Sequence, residues 1–121
     1  MNRVTAMTHN NPLAQVPGAH VALEVGEVPA IEVGPGCLRR DLPGLPGIRA
    51  WVVDMAPGSE WPHVDHHQAG EGFYVISGEV IEGAARYRAG TYVSFAPDSG
   101  HRPRTDSGVR LLGFNPLREV A

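Results

Sequence analysis

The stretch Gly58-Ser59-Glu60-Trp61-Pro62-His63-Val64-Asp65-His66-His67-Gln68-Ala69-Gly70-Glu71-Gly72-Phe73-Tyr74-Val75-Ile76-Ser77-Gly78 decides how the rest of the chain is read. Three of the six histidines, His63, His66 and His67, fall within five residues of one another, with Asp65 among them and Glu71 close behind. Burying such a polar cluster is costly unless something satisfies it, and a divalent cation does so. On an extended strand alternate side chains share a face, so His63, Asp65 and His67 point one way and His66 the other. After a short Gln68-Ala69-Gly70 turn, Glu71 brings a further carboxylate to that face. Mixed imidazole and carboxylate donors suit zinc, iron, manganese or nickel.

Working outward, 121 residues fit one domain. Such a chain buries about two-thirds of its unfolded surface, enough for a core without disulfide staples. Cys37 is the single cysteine, so no internal disulfide forms and the fold does not depend on an oxidising compartment. No apolar run approaches the roughly 20 residues of a membrane span, and the N-terminus lacks the signal-peptide pattern. The expectation is a cytoplasmic protein with no membrane partner. A net charge of -3 argues against nucleic acid as a partner. All ten basic residues are arginine, which excludes lysine Schiff-base chemistry. No Gly-x-Ser-x-Gly elbow, phosphate loop or Cys-x-x-Cys pair is present.

Fifteen glycines and eleven prolines imply many turns and little long helix. Residues 1–19 carry Asn-Asn-Pro and Val-Pro-Gly breakers without a sustained period and read as a flexible arm; residues 20–121 form the domain proper. Short β-rich runs are expected at Val21–Val25 and Ala30–Val33, then a Gly/Pro loop from Gly34 to Gly47 with Cys37-Leu38 briefly extended. Ile48–Met55 reads as a strand with Arg49, Trp51, Val53 and Met55 on one face and Ile48, Ala50, Val52 and Asp54 on the other. Further strands are expected at Glu71–Ser77, continuing past Gly78 through Glu79–Ile81, and at Ala85–Tyr87, Thr91–Ala96 and Val109–Phe114. Alternation from Glu71 sends Phe73, Val75 and Ser77 inward and Tyr74 and Ile76 to the other face. Short strands recurring about every ten residues describe an all-β sandwich or barrel.

At this point the chain resembles the cupins. Their first motif places two histidines one residue apart, a glutamate three or four residues on, and a glycine after six more. Here His67, Glu71 and Gly78 keep that spacing, and Asp65 stands where the family usually has its first histidine. The second motif is similar to Gly90-Thr-Tyr-Val-Ser-Phe-Ala-Pro97-Asp-Ser-Gly100-His101, with slightly shifted spacing and no asparagine four residues on. The run from Ala89-Gly90 through Gly100-His101 to Pro103-Arg104 most resembles the small cupins related to the anti-sigma factor ChrR, a group that includes acetylacetone-type dioxygenases. The resemblance covers about residues 47–115 and implies a double-stranded β-helix, the jelly-roll barrel, holding one divalent metal per chain.

The ligand set this implies is Asp65, His67, Glu71 and His101, with His66 (through a one-residue bulge) or His63 as alternates for Asp65. Arg49, Trp51, Trp61 and Phe73 are the candidate substrate pocket, apolar in the main with one possible carboxylate clamp. Two functions follow. One is a metal-dependent enzyme acting on a small oxygenated organic molecule: with Fe2+ a dioxygenase cleaving a C–C bond, with Zn2+ a Lewis-acid isomerase, cyclase or lyase, with Mn2+ or Ni2+ also compatible. The other is a non-catalytic metal- or ligand-sensing cupin. The roughly 20 residues ahead of the first strand lack a His/Cys zinc-binding pattern such as an anti-sigma segment would carry, which favours the enzyme. A homodimer is expected, because an open sandwich leaves edge strands to cover.

Overall fold

A computed structural model describes residues 18–117, so all but the last two residues of the expected 1–19 arm, and His9 with them, lie outside the described residues. Nine strands follow in order: β1 (Ile31–Gly34), β2 (Cys37–Leu42), β3 (Ile48–Met55), β4 (Asp65–His67), β5 (Glu71–Glu82), β6 (Ala85–Arg88), β7 (Tyr92–Phe95), β8 (Ser99–His101) and β9 (Val109–Pro116). The large sheet runs β1-β2-β3-β9-β5-β6, with β7 also paired to β5, while β4 and β8 form a separate two-stranded sheet. Every pairing is antiparallel. The all-β reading therefore holds.

The core lies against the inner face of the large sheet. Trp51, Val53 and Met55 of β3 are buried there with Phe73 and Val75 of β5, Leu111 of β9, Cys37 and Trp61. The expected alternation of β3 is what places Trp51, Val53 and Met55 on one side.

Three expectations need correction. Val21–Val25 is not a strand: Val21 and Leu23 stay exposed, and the chain turns instead through a 3-10 segment at Val25–Glu27. With no ladder partner, a β-branched run has nothing to bury its apolar side against.

The Gly34–Gly47 stretch is not one loop: it contains strand β2, in full register with β3 from Cys37 opposite Met55 to Leu42 opposite Ala50. The Pro35-Gly36 pair makes the hairpin, with Gly36 at φ 76, as a type II turn requires at its third position. The charges that disguised β2 are paired: Arg40 reaches Asp54 Oδ2 at 2.9 Å, and Asp54 Oδ1 accepts from Arg110 Nε at 2.7 Å.

The third correction is Ser77, which is exposed, not inward. The β5–β9 ladder shifts register between Val75 and Ser77, and such a bulge reverses which residues face the core. Odd-numbered Phe73 and Val75 face inward before it, and even-numbered Val80 and Glu82 after it.

Candidate metal centre

The short sheet builds the site. In β4 and β8, Asp65 stands opposite His101 and His67 opposite Ser99. Strand alternation then puts Asp65 and His67 on one side and leaves His66 exposed. Donor atoms of Asp65, His67 and His101 all lie within 4.8 Å of one another. Glu71, at the start of β5 and buried, meets both imidazoles: Oε1 lies 2.8 Å from His67 Nε2 and Oε2 lies 3.2 Å from His101 Nε2. The two Nε2 atoms are themselves 3.0 Å apart. His63 is exposed and stands 2.9 Å from Asp65 Oδ1.

One residue of the cluster escaped the sequence reading. Glu82, at the far end of β5 and 11% exposed, places Oε2 at 2.8 Å from His101 Nδ1. The bulge brings it there. Its partner is remote in sequence, so no local spacing signals the contact; only the shifted parity of β5 does. With Nδ1–H donated to Glu82, His101 presents Nε2 to the cluster, and Phe95 stacks on its ring at 4.1 Å. A histidine held this way has its ring orientation and tautomer fixed.

The donors fit a cation. Two imidazole nitrogens 3.0 Å apart with a carboxylate against each cannot all be unprotonated lone pairs without repulsion. Either a proton or a metal ion must sit among them. Burial pushes the His101 pKa down, but hydrogen bonds to Glu71 and Glu82 and the charge of both carboxylates outweigh it, raising the pKa from 6.5 to about 9.

Two expected outcomes follow. A group whose folded pKa is raised stabilises the fold fully below its unfolded value and stops doing so as pH rises through the folded value. Metal-free protein should therefore lose thermal stability between pH 6.5 and about 9, read as a falling melting midpoint, and metal affinity should climb over the same interval as the proton stops competing. A midpoint flat across that range would contradict the His101 assignment. Separately, Glu82→Gln should weaken metal binding by roughly 10–100-fold, measured by competition with a chromophoric chelator; wild-type affinity in the variant would remove Glu82 from the site.

A cavity of about 460 Å³ opens from this cluster. All four expected pocket residues, Arg49, Trp51, Trp61 and Phe73, line it, together with Asp65, His67, Glu71 and His101. Trp51 Nε1 donates to Asn115 Oδ1 at 3.0 Å, whereas the buried Trp61 Nε1 has no partner among the described residues. Cys37 takes no part: it is fully buried, and burial pushes its thiol pKa up, with a hydrogen bond from Ser59 lowering it only in part.

The family model of the ChrR cupin-like domain matches residues 19–116. The chain belongs to the ChrR cupin-like family. Solved structures agree on the cupin fold. The chain is similar to an RmlC-like cupin from Shewanella frigidimarina (22% identity, TM-score 0.69, covering 84% of this chain and 95% of that one). It is similar also to ChrR in complex with SigE from Rhodobacter sphaeroides (19%, 0.69, 76% and 50%). A third is a putative acetylacetone dioxygenase from Methylibium petroleiphilum (12%, 0.70, 84% and 79%). This cupin thus spans half the length of the ChrR chain it matches. No curated protein matches the sequence.

Proposed function

We propose that this cupin is a metal-dependent enzyme acting on a small oxygenated organic molecule, with Asp65, His67 and His101, and Glu71 against both imidazoles, as the site of one divalent ion. What carries the reading is the convergence of Asp65, His67 and His101 donors within 4.8 Å on the wall of the cavity. Two imidazoles and one carboxylate are the donor set of non-haem Fe(II) oxygenases, which favours Fe2+ and dioxygenase-type C–C cleavage. A bound ion would supply an electrophilic centre that polarises an oxygen donor of the substrate. The chain supplies the rest. Trp51, Trp61 and Phe73 give the cavity an apolar lining, and Glu82 holds the His101 ring so that Nε2 faces the cluster. Glu71, meeting both Nε2 atoms, accepts the hydrogen bond of whichever of them carries a proton when no cation is present.

One observation favours a second reading. If Glu71 ligates as well as Asp65, two carboxylates nearly neutralise a dication, and a Zn2+ site for isomerisation, cyclisation or elimination fits that set, as does a non-catalytic sensor. Oxygen uptake by Fe2+-loaded protein with β-diketones and hydroxyketones tests the first reading. Uptake that depends on both iron and substrate supports it; none with any of them, while Zn2+-loaded protein converts an enolisable ketone, supports the second.

Association and location belong to the same proposal. A homodimer is supported by the apolar outer face of the sheet, where Tyr74, Ile76, Tyr92, Leu112 and Phe114 are 40% or more exposed and Tyr92 stacks on Phe114. Sedimentation velocity giving a monomer would remove it. A cytoplasmic location rests on the single free cysteine; among the described residues no helix is long and apolar enough to cross a membrane.

A further inference from the structure

We propose that the mouth of the cavity is a carboxylate-binding subsite built on Arg49, so that the molecule this cupin takes is a small organic acid lying between that arginine and the His67–His101 cluster. The inference rests on the metal-site reading above and adds the substrate class.

The inner face of β2 and β3 is apolar at Cys37, Trp51, Val53 and Met55. Towards the open end of the cavity it turns charged. Arg39 pairs with Val53 and Asp41 with Trp51 across the ladder, and Arg49 shares the Trp51 face by alternation. Arg49 and Asp41 stand at the solvent-reached rim of this face, with side chains 42% and 43% exposed, and Arg39 is partly buried beside them. Arg39 and Asp41 account for each other, with Nε–Oδ1 at 2.9 Å and Nη2–Oδ2 at 3.3 Å. Arg49 is left over. Among the described residues its one hydrogen bond is from Nη2 to Asp41 Oδ1 at 3.4 Å, an oxygen that Arg39 already occupies.

Two guanidinium groups thus share one carboxylate, and among the described residues most of the five donors of Arg49 have no partner where it lines the cavity. At the inner end the balance is opposite, since Asp65 and Glu71 nearly neutralise a bound dication. The surplus positive charge of the cavity sits at its mouth. Trp51, Trp61 and Leu111 give the same cavity an apolar wall. Asn115, opposite Arg49 across β3 and β9, fixes the Trp51 indole beside it. A planar guanidinium with free parallel donors matches a carboxylate bidentately. About 460 Å³ is room for a small acid.

The test compares matched probes on Co2+- or Zn2+-loaded protein by calorimetric titration. 2-Oxoglutarate and 2-oxoadipate carry a distal carboxylate; 2-oxopentanoate and 2-oxohexanoate keep the chelating oxo acid and lose it. At least one diacid should bind about ten-fold or more tightly than its match. Arg49→Gln should erase that preference, Arg49→Lys should restore part of it, and metal affinity should be equal in all three proteins. Equal binding of each pair by the wild type, or a preference that survives Arg49→Gln, overturns the subsite alone. Protein that takes up no metal at all overturns the metal-site reading and the subsite with it, so the two failures are told apart.

Discussion

Alanine in place of His101 is expected to abolish tight metal binding. The loss should exceed the roughly 10–100-fold that removal of an outer-shell partner costs, because an imidazole nitrogen at the centre of the cluster is gone. His101 Nε2 lies 3.0 Å from His67 Nε2 and 3.2 Å from Glu71 Oε2, so the vacancy cannot be filled by a neighbouring side chain already in place. The substitution also strips Glu82 of its partner and leaves Glu71, 4% exposed, with His67 alone. Carboxylates left buried and unpaired destabilise a fold, so the measurement needs a second arm. His67→Ala removes the other imidazole while leaving the His101–Glu82 pair intact, and it should abolish tight binding with a smaller drop in melting midpoint. Chelator competition on both folded variants reads the effect. Unchanged metal stoichiometry in both would show that these histidines are not ligands.

The largest effect on stability is expected at Gly78→Ala. Gly78 sits in β5 at φ 78, a backbone conformation that L side chains rarely adopt. A Cβ there would collide with the backbone carbonyl oxygen of Gly108 and crowd Val109 Cα. Both obstacles are main chain, held by the β5–β9 register that pairs Gly78 with Val109 and by the Glu79 N–H bond to Gly108 O at 3.1 Å. Neither can give without unzipping the ladder beside the bulge that aims Glu82 at the site. Destabilisation of more than ~3 kcal/mol is expected by denaturant unfolding. Gly26→Ala, where a Cβ meets nothing within 4 Å, is the control and should fall within about 0.5 kcal/mol of wild type. Equal midpoints for the two variants would refute the close-approach argument.

How much of this was legible in the sequence depended on whether the signal was local. β3 was legible because an eight-residue run rich in β-branched and aromatic residues is bounded by Gly47 and by the Ala56-Pro57-Gly58 break, and nothing interrupts its pairing with β2 and β9. The meeting of Asp65, His67 and Glu71 was legible because a strand and a three-residue turn leave little freedom between them. β2 was hidden by three adjacent charges, Arg39, Arg40 and Asp41, whose ion pairs to each other and to Asp54 exist only once β3 and β9 lie alongside. Ser77 and Glu82 were hidden together. A single bulge reverses the parity of β5, and its cause is a ladder with a strand 30 or so residues downstream, which no window of sequence contains. Val21–Val25 erred the other way: propensity without a partner strand makes no sheet.

The measurement that bears most directly on the central claim is the metal content of freshly purified protein kept anaerobic, by elemental analysis with back-titration of any empty fraction. The account predicts close to one divalent ion per chain, native or taken up tightly, with iron supporting the dioxygenase reading and zinc the Lewis-acid one. Protein that carries no metal and takes up none on titration would contradict it, leaving His67, Glu71, Glu82 and His101 as a hydrogen-bonded cluster held together by protons.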